Sequence, residues 1–223
     1  MELSLSLNDF KTYVSRQINH FFPDNFKADF CLVEQAFDYA LQRTEHCFRH
    51  VSLGAYNING LPYLNHLHSD QYCVFLWFLS NSVWSMQDDQ QLANKLFYLN
   101  KSLHGFSCMY DTELPDIFVL LHTVGTVLGR AKYSDYLVAF QGSTVGAQKG
   151  RYPILGRGVS LLPYSSIVGD CRIGDYVSIG NSASVYEKNI ADHTVVFRDD
   201  SGSNTYKINK TSVSERYFNL NIR

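Results

Sequence analysis

Few side chains in this sequence have chemistry to offer. His122 stands in an apolar segment, Leu-Leu-His-Thr-Val-Gly at 120–125. A neutral imidazole near pH 7 is suited to taking a proton from an attacking hydroxyl, although a lone histidine on an apolar strand also serves plain packing. His66-x-His68-x-Asp70 sets three metal-capable groups on one side of an extended segment. The motif precedes a helix and lacks a fourth ligand, so no metal is expected. Five cysteines, Cys31, Cys47, Cys73, Cys108 and Cys171, are odd in number and without C-x-x-C spacing. They read as buried thiols rather than a disulfide framework or a zinc ribbon.

The elements that must position these groups obey two periodicities. From about residue 8 to 104, apolar residues recur at helical spacing: Phe10, Val14, Ile18 and Phe21; Phe30, Val33, Phe37, Leu41 and Phe48; Leu92, Leu96, Leu99 and Leu103. Ser69 is placed to cap a further helix through Tyr72 to Trp84, apolar most of the way round and therefore central. Asn57 to Pro62 has the chemistry of a loop.

After Pro115 the period becomes six. Leu155, Leu161, Ile167, Ile173, Ile179, Val185 and Ala191 lead seven consecutive hexads, with Val159, Ser165, Cys171, Val177, Ala183, Asn189 and Val195 four places on. Val127, Tyr133, Ala139 and Val145 lead an earlier set, with Ala131, Leu137 and Ser143 four places on. Ten residues separate Val145 from Leu155, so a loop at 147–153 leaves the repeat. A six-residue period keeps no helical face, but three short strands of that period close a triangular coil of eighteen residues. The sequence thus predicts an α+β chain: a helical domain at 1–109, a parallel β-helix at 110–197 and a C-terminal tail at 198–223.

Charge and hydropathy limit the partners. The balance of 19 Lys+Arg against 21 Asp+Glu gives a net charge of -2, with no general pull toward nucleic acid or an anionic lipid surface. The longest apolar run is too short to span a bilayer, and the first twenty residues lack a signal-peptide layout. A cytoplasmic protein is expected.

The hexads Ile-Gly-Asp-Tyr-Val-Ser (173–178) and Ile-Gly-Asn-Ser-Ala-Ser (179–184) resemble the repeat of the left-handed β-helix acyltransferases. The left hand rests on that resemblance alone, since parallel crossovers generally favour the right. Leu-Leu-His-Thr-Val-Gly (120–125), Gln-Gly-Ser-Thr-Val-Gly-Ala (141–147) and Arg-Tyr-Pro-Ile-Leu (151–155) are similar, in that order, to serine O-acetyltransferases.

The resemblance implies acetyl-CoA as co-substrate, bound in a cleft between neighbours of a homotrimer, with a hexamer of two trimers joined by their helices as the alternative assembly. It makes His122 the general base and assigns acetyl-CoA contacts to Gly146, Ala147, Pro163, Tyr164 and Asn181. Amides at Gly146 and Ala147 would face the developing oxyanion. A carboxylate should orient the base; Glu113 is preferred, then Asp116, then Asp111. Gln141 and Tyr152 are the candidate acceptor contacts. Two departures bear on the acceptor: the family has aspartate where this chain has Leu121, and histidine where it has Tyr152.

The expected activity is accordingly acetyl transfer to a hydroxyl of a bacterial surface polysaccharide sugar or its precursor. Serine O-acetylation and a non-catalytic trimeric scaffold are the alternatives. A carbonic anhydrase on this fold would need three histidines on the coils, and only His122 and His193 lie there.

Overall fold

Helical spacing in the first hundred residues is realised as four helices. The computed structural model describes residues 1–30 and 33–219, so Cys31 lies outside the described residues; Cys47, Cys73, Cys108 and Cys171 are buried free thiols. Contacts divide the chain into two units, Met1–Arg49 with Gly54–Asp111, and His50–Leu53 with Thr112 onward.

In the first unit, β1 (Glu2–Leu3) precedes α1 (Leu7–Phe21), whose buried stripe is Phe10, Val14 and Ile18; Phe21 is exposed. The Ser6 hydroxyl accepts the Asp9 amide at its N-cap. Next is α2 (Glu34–Arg49), with Phe37, Ala40, Cys47 and Phe48 inside. α3 (Ser69–Gln87) is buried all round from Tyr72 to Leu79 and packs against both α2 and α4 (Gln90–His104), as its apolar run requires.

Two expectations need correction here. His68, not Ser69, caps α3: its Nδ1 accepts the Gln71 amide, and Ser69 is already helical. The stretch expected as a loop is a hairpin of β2 (Asn57–Ile58) and β3 (Leu61–Leu64). Its turn residues Asn59 and Gly60 both have positive φ, the type I′ geometry that matches strand twist. Strands this short carry no period of their own.

The second unit is a left-handed parallel β-helix. Its first face stacks β4 (Phe118–Leu121), β6 (Leu137–Phe140), β9 (Ser160–Leu161), β12 (Ser178–Ile179) and β14 (Thr194–Arg198). The second stacks β5 (Val127–Leu128), β7 (Thr144–Gly146), β10 (Ser166–Val168) and β13 (Ser184–Tyr186). The third holds β8 (Ile154–Leu155) and β11 (Arg172–Ile173), with bridges Lys132 to Ile154 and Ile173 to Ile190. Inward side chains form one column per face: Leu120, Ala139, Leu161, Ile179 and Val196; Leu128, Val145, Ile167 and Val185; Tyr133, Leu155, Ile173 and Ile190. All of them are buried. Burying each aliphatic member is worth roughly 1.5–3 kcal/mol of transfer free energy.

The repeat slips at both ends. Val127 is exposed and Leu128 takes the inward position. In the final coil Ile173 pairs with Ile190 and Ser178 with Val195, so that coil has 17 residues. Ile190 and Val196 therefore point inward, while Ala191 and Asn189 are exposed. Asn189 instead accepts the Arg172 amide of the coil below. The four extra residues between Val145 and Leu155 form a small hairpin in which Gln148 and Arg151 exchange backbone hydrogen bonds. Lys149 and Gly150, both at positive φ, make its turn.

Beyond the last coil, β15 (Asn204–Ile208) pairs antiparallel with β14. The chain then runs back along the coils: the Ser212 hydroxyl donates to the Gly158 carbonyl, Tyr217 meets Phe140 edge-on and Phe218 meets Tyr136. A bridge from Val51 to Phe218 and a bond from the Ser52 amide to the Tyr217 carbonyl tie this strap to residues 50–53.

Candidate functional site

Each face of the β-helix ends in a corner, and the corner after the first face gathers most of the chemistry. Strand register pairs Leu121 with Phe140 and Ala139 with Leu161, and the next pair is Ile179 on Leu161. The Gly142 amide on the Val124 carbonyl, and the Tyr164 and Ser182 amides on the Gln141 and Pro163 carbonyls, stack Val124, Gln141, Pro163 and Asn181 in successive coils, about 4.8 Å apart, with His122 two residues earlier on the first of these corners. Four residues singled out in the sequence thus fall on one edge. The coils differ in length, but the strand register of the first face returns the chain to the same corner each time.

His122 is exposed and has φ 55°. Tyr136, Tyr164, Tyr176, Ser182 and His193 also occupy corners with positive φ, so the left-handed backbone at His122 follows from its corner rather than marking function. What sets His122 apart is corner length. Five residues lie between Leu121 and Val127, against three between Phe140 and Thr144 in the coil stacked on it. The extra residues push His122 and the exposed Val124 outward, and the Gly142 amide on the Val124 carbonyl holds the longer corner in place.

Tyr164 lies on the same edge, exposed, with its ring against Gly142, where any Cβ would collide with it. Gln141 is half-buried, and its Oε1 is buried with no hydrogen-bond partner among the described residues. Ser182, beside Asn181, sits at the corner above and donates its amide to Pro163. Gly142, Val124 and Ser182 escaped the sequence reading because only the stacking register brings them to this edge.

Other expected site residues stand elsewhere. Asp116 adjoins Ile117, whose amide is held by the Asp135 carboxylate at the opposite corner of the first face. The four strand residues between them put roughly 13 Å of extended chain before His122. Neither Glu113 nor Asp116, both exposed, makes a hydrogen bond or ion pair among the described residues, so the structure does not make the expected carboxylate–imidazole pairing within one chain. Gly146 and Ala147 end β7 at the far side of the second face, where the Gly146 carbonyl accepts the Gly169 amide. Tyr152 is exposed on the descending limb of the hairpin, next to Arg151, which reaches Asp170. These three residues lie across the width of the second face from His122.

Among the described residues no group of three His, Cys, Asp or Glu side chains is arranged to hold a metal. His66 is engaged by the Ser4 hydroxyl at 2.7 Å, and His68 serves as the helix cap. No helix among the described residues is long and apolar enough to cross a membrane.

A prism of short strands recurring about every six residues, with corners of this kind, defines a hexapeptide-repeat β-helix. Residues 152–186 match the family described as bacterial transferase hexapeptide (six repeats). Solved structures with the same fold include serine acetyltransferases. That from Brucella abortus strain S19 has a TM-score of 0.68 at 18% identity, over 92% of this chain and 86% of that one. That from Neisseria gonorrhoeae in complex with serine has a TM-score of 0.65 at 18% identity, over 85% and 82%. A serine acetyltransferase in complex with CoA has a TM-score of 0.61 at 14% identity, over 78% and 73%. No curated protein sequence matches the chain.

Proposed function

We propose that this protein is an acetyl-CoA-dependent O-acetyltransferase of the serine acetyltransferase type, with His122 as general base. The observation carrying this reading is the single edge on which His122, Gln141, Pro163, Tyr164 and Asn181 come together in a hexapeptide-repeat β-helix. Acetyl-CoA supplies a thioester carbonyl. An alcohol attacking it must lose its proton as the new bond forms, and the exposed imidazole of His122 takes that proton. Pro163, Tyr164 and Asn181 continue from the base along roughly 10 Å of edge, where the extended arm of the co-substrate would lie.

A prism corner is convex and encloses nothing by itself, whereas ligand sites are concave. Gly146, Ala147 and Tyr152 stand across the second face from the base, so they join it only if a second copy presents its hairpin. A homotrimer about an axis parallel to the coils does this for all three edges at once. Ala147 and Tyr152 of one copy would then serve the base of the next. Drawing on acetyl-CoA as its co-substrate, the protein would work in the cytoplasm.

The acceptor is read as the hydroxyl of serine, in line with the serine acetyltransferases that share the fold across most of both chains. A sugar hydroxyl is the second reading, favoured by the buried apolar Leu121 immediately before the base and by tyrosine at 152.

Purified protein should consume acetyl-CoA with serine faster than with sugar acceptors, and His122→Ala should lower turnover about 100-fold or more, the scale of a lost general base. Unchanged turnover in that variant removes the assignment of the base. A preference for a saccharide selects the second reading. Absence of acetyl-CoA binding in calorimetry leaves only a scaffold.

A further inference from the structure

Gln141 presents a problem that the fold does not solve. Its Oε1 is withdrawn from solvent and has no donor among the described residues, an arrangement that native proteins avoid unless something else meets the group. The cause is visible in the stacking register. In the coil above, the corresponding residue is Pro163, which has no N–H to give. In the coil below is Val124, whose carbonyl already accepts the Gly142 amide, with His122 two residues earlier on the same lengthened corner. The Gln141 carbonyl accepts the Tyr164 amide at 3.0 Å; the side-chain oxygen is left without a donor, on the corner that carries the base.

The side chains around it sharpen the point. Leu121 before the base is apolar and 8% exposed, and Pro163 and Tyr164 follow above. Glu113 and Asp116 belong to the other end of β4. Among the described residues this edge therefore offers an amino group no carboxylate, and Gln141 Oε1 is an unused acceptor on it. An amide oxygen accepts from N–H or ammonium donors and gives nothing to a carboxylate.

We propose that Gln141 is a specificity-determining residue: its amide oxygen accepts a hydrogen bond from the amino group of the acceptor, selecting alcohols that carry an amine next to the reacting hydroxyl. This rests on the acetyltransferase reading and deepens it by assigning the group that distinguishes an amino alcohol from a plain one. The contact is neutral on the protein side, so it orients the acceptor without placing a second charge beside an imidazole that must change charge during the reaction.

The test compares wild type, Gln141→Leu and Gln141→Glu with serine and with its des-amino analogue 3-hydroxypropionate. KM is measured for each acceptor and for acetyl-CoA, serine affinity is measured by calorimetry with CoA present, and thermal melts check folding. Losing a hydrogen bond to a charged partner weakens binding by about tenfold or more. Gln141→Leu should raise the serine KM and Kd by about that factor while leaving 3-hydroxypropionate and acetyl-CoA unchanged. Gln141→Glu, which keeps an acceptor oxygen, should retain serine binding. Equal losses for both acceptors, or a rise confined to the acetyl-CoA KM, overturns the proposal and reassigns Gln141 to the co-substrate. If neither acceptor nor any sugar is acetylated by wild type and serine does not bind, both this inference and the activity reading fall. Turnover of serine with an indifferent Gln141→Leu removes this inference alone.

Discussion

At the scale of single residues, the interior of the β-helix separates positions that the repeat demands from positions it merely tolerates. Ser165 faces inward one coil above Ser143. Ser143 satisfies its hydroxyl on the Phe140 carbonyl at 2.7 Å, whereas the Ser165 hydroxyl is buried without a partner among the described residues. Ala183 holds the same place in the next coil. Replacing Ser165 with alanine removes an unsatisfied polar group and leaves a side chain that the column already accommodates. Ser165→Ala should therefore be neutral or stabilising by about 1 kcal/mol, read as an unchanged or raised midpoint in urea. Ser143→Ala should destabilise by a comparable amount. Gly142 shows the opposite constraint: the Tyr164 ring occupies the place its Cβ would take.

Among elements, α4 carries a group whose titration reaches the stability of the helical unit. Burial pushes the pKa of His104 down to about 4, against a smaller upward pull from Asp70 and Asn100. The unfolded chain takes up this proton near pH 6.5 and the folded one only near pH 4, so the unfolded state binds more protons in between. Stability from this group is complete above about pH 6.5 and is lost as the pH falls toward 4, on the order of 3 kcal/mol in total. Urea unfolding between pH 7 and 4 should show the decline, and His104→Asn should flatten it. An equal slope in that variant would assign the effect to other groups. The elements also show how far the sequence could be read. Columns at spacing 18 announced themselves from Leu155 to Val185, since each inward residue needs a counterpart one coil away. The 17-residue last coil hid behind Ala191, a residue small enough to pass for an inward one. His122 was legible as a candidate base from its motif. The unpaired Gln141 oxygen was not, since its want of a donor arises from Pro163 in another coil, and neither was the strand that keeps Asp116 from His122. β2 and β3 went unread because two-residue and four-residue strands say less than the Asn-Gly turn between them.

For the whole molecule, the proposed site draws on two copies of the chain, and that is open to a test that needs no structure. His122→Ala spoils one contribution and removal of hairpin residues 148–151 the other. Each variant alone should be inactive. Coexpressed in equal amounts and assembled at random, they should regain roughly a quarter of wild-type activity, because one edge in four pairs an intact base with an intact hairpin. If activity does not return although light scattering shows mixed trimers, each chain works alone. At the far end of the coil, β15 lies antiparallel along the five residues of β14, so β14 offers no free edge to a strand that would continue the coil in parallel. A stack of flat strands is otherwise an open-ended template on which further chains can polymerise. The terminal hairpin thus breaks, on that face, the parallel register in which a further coil would add.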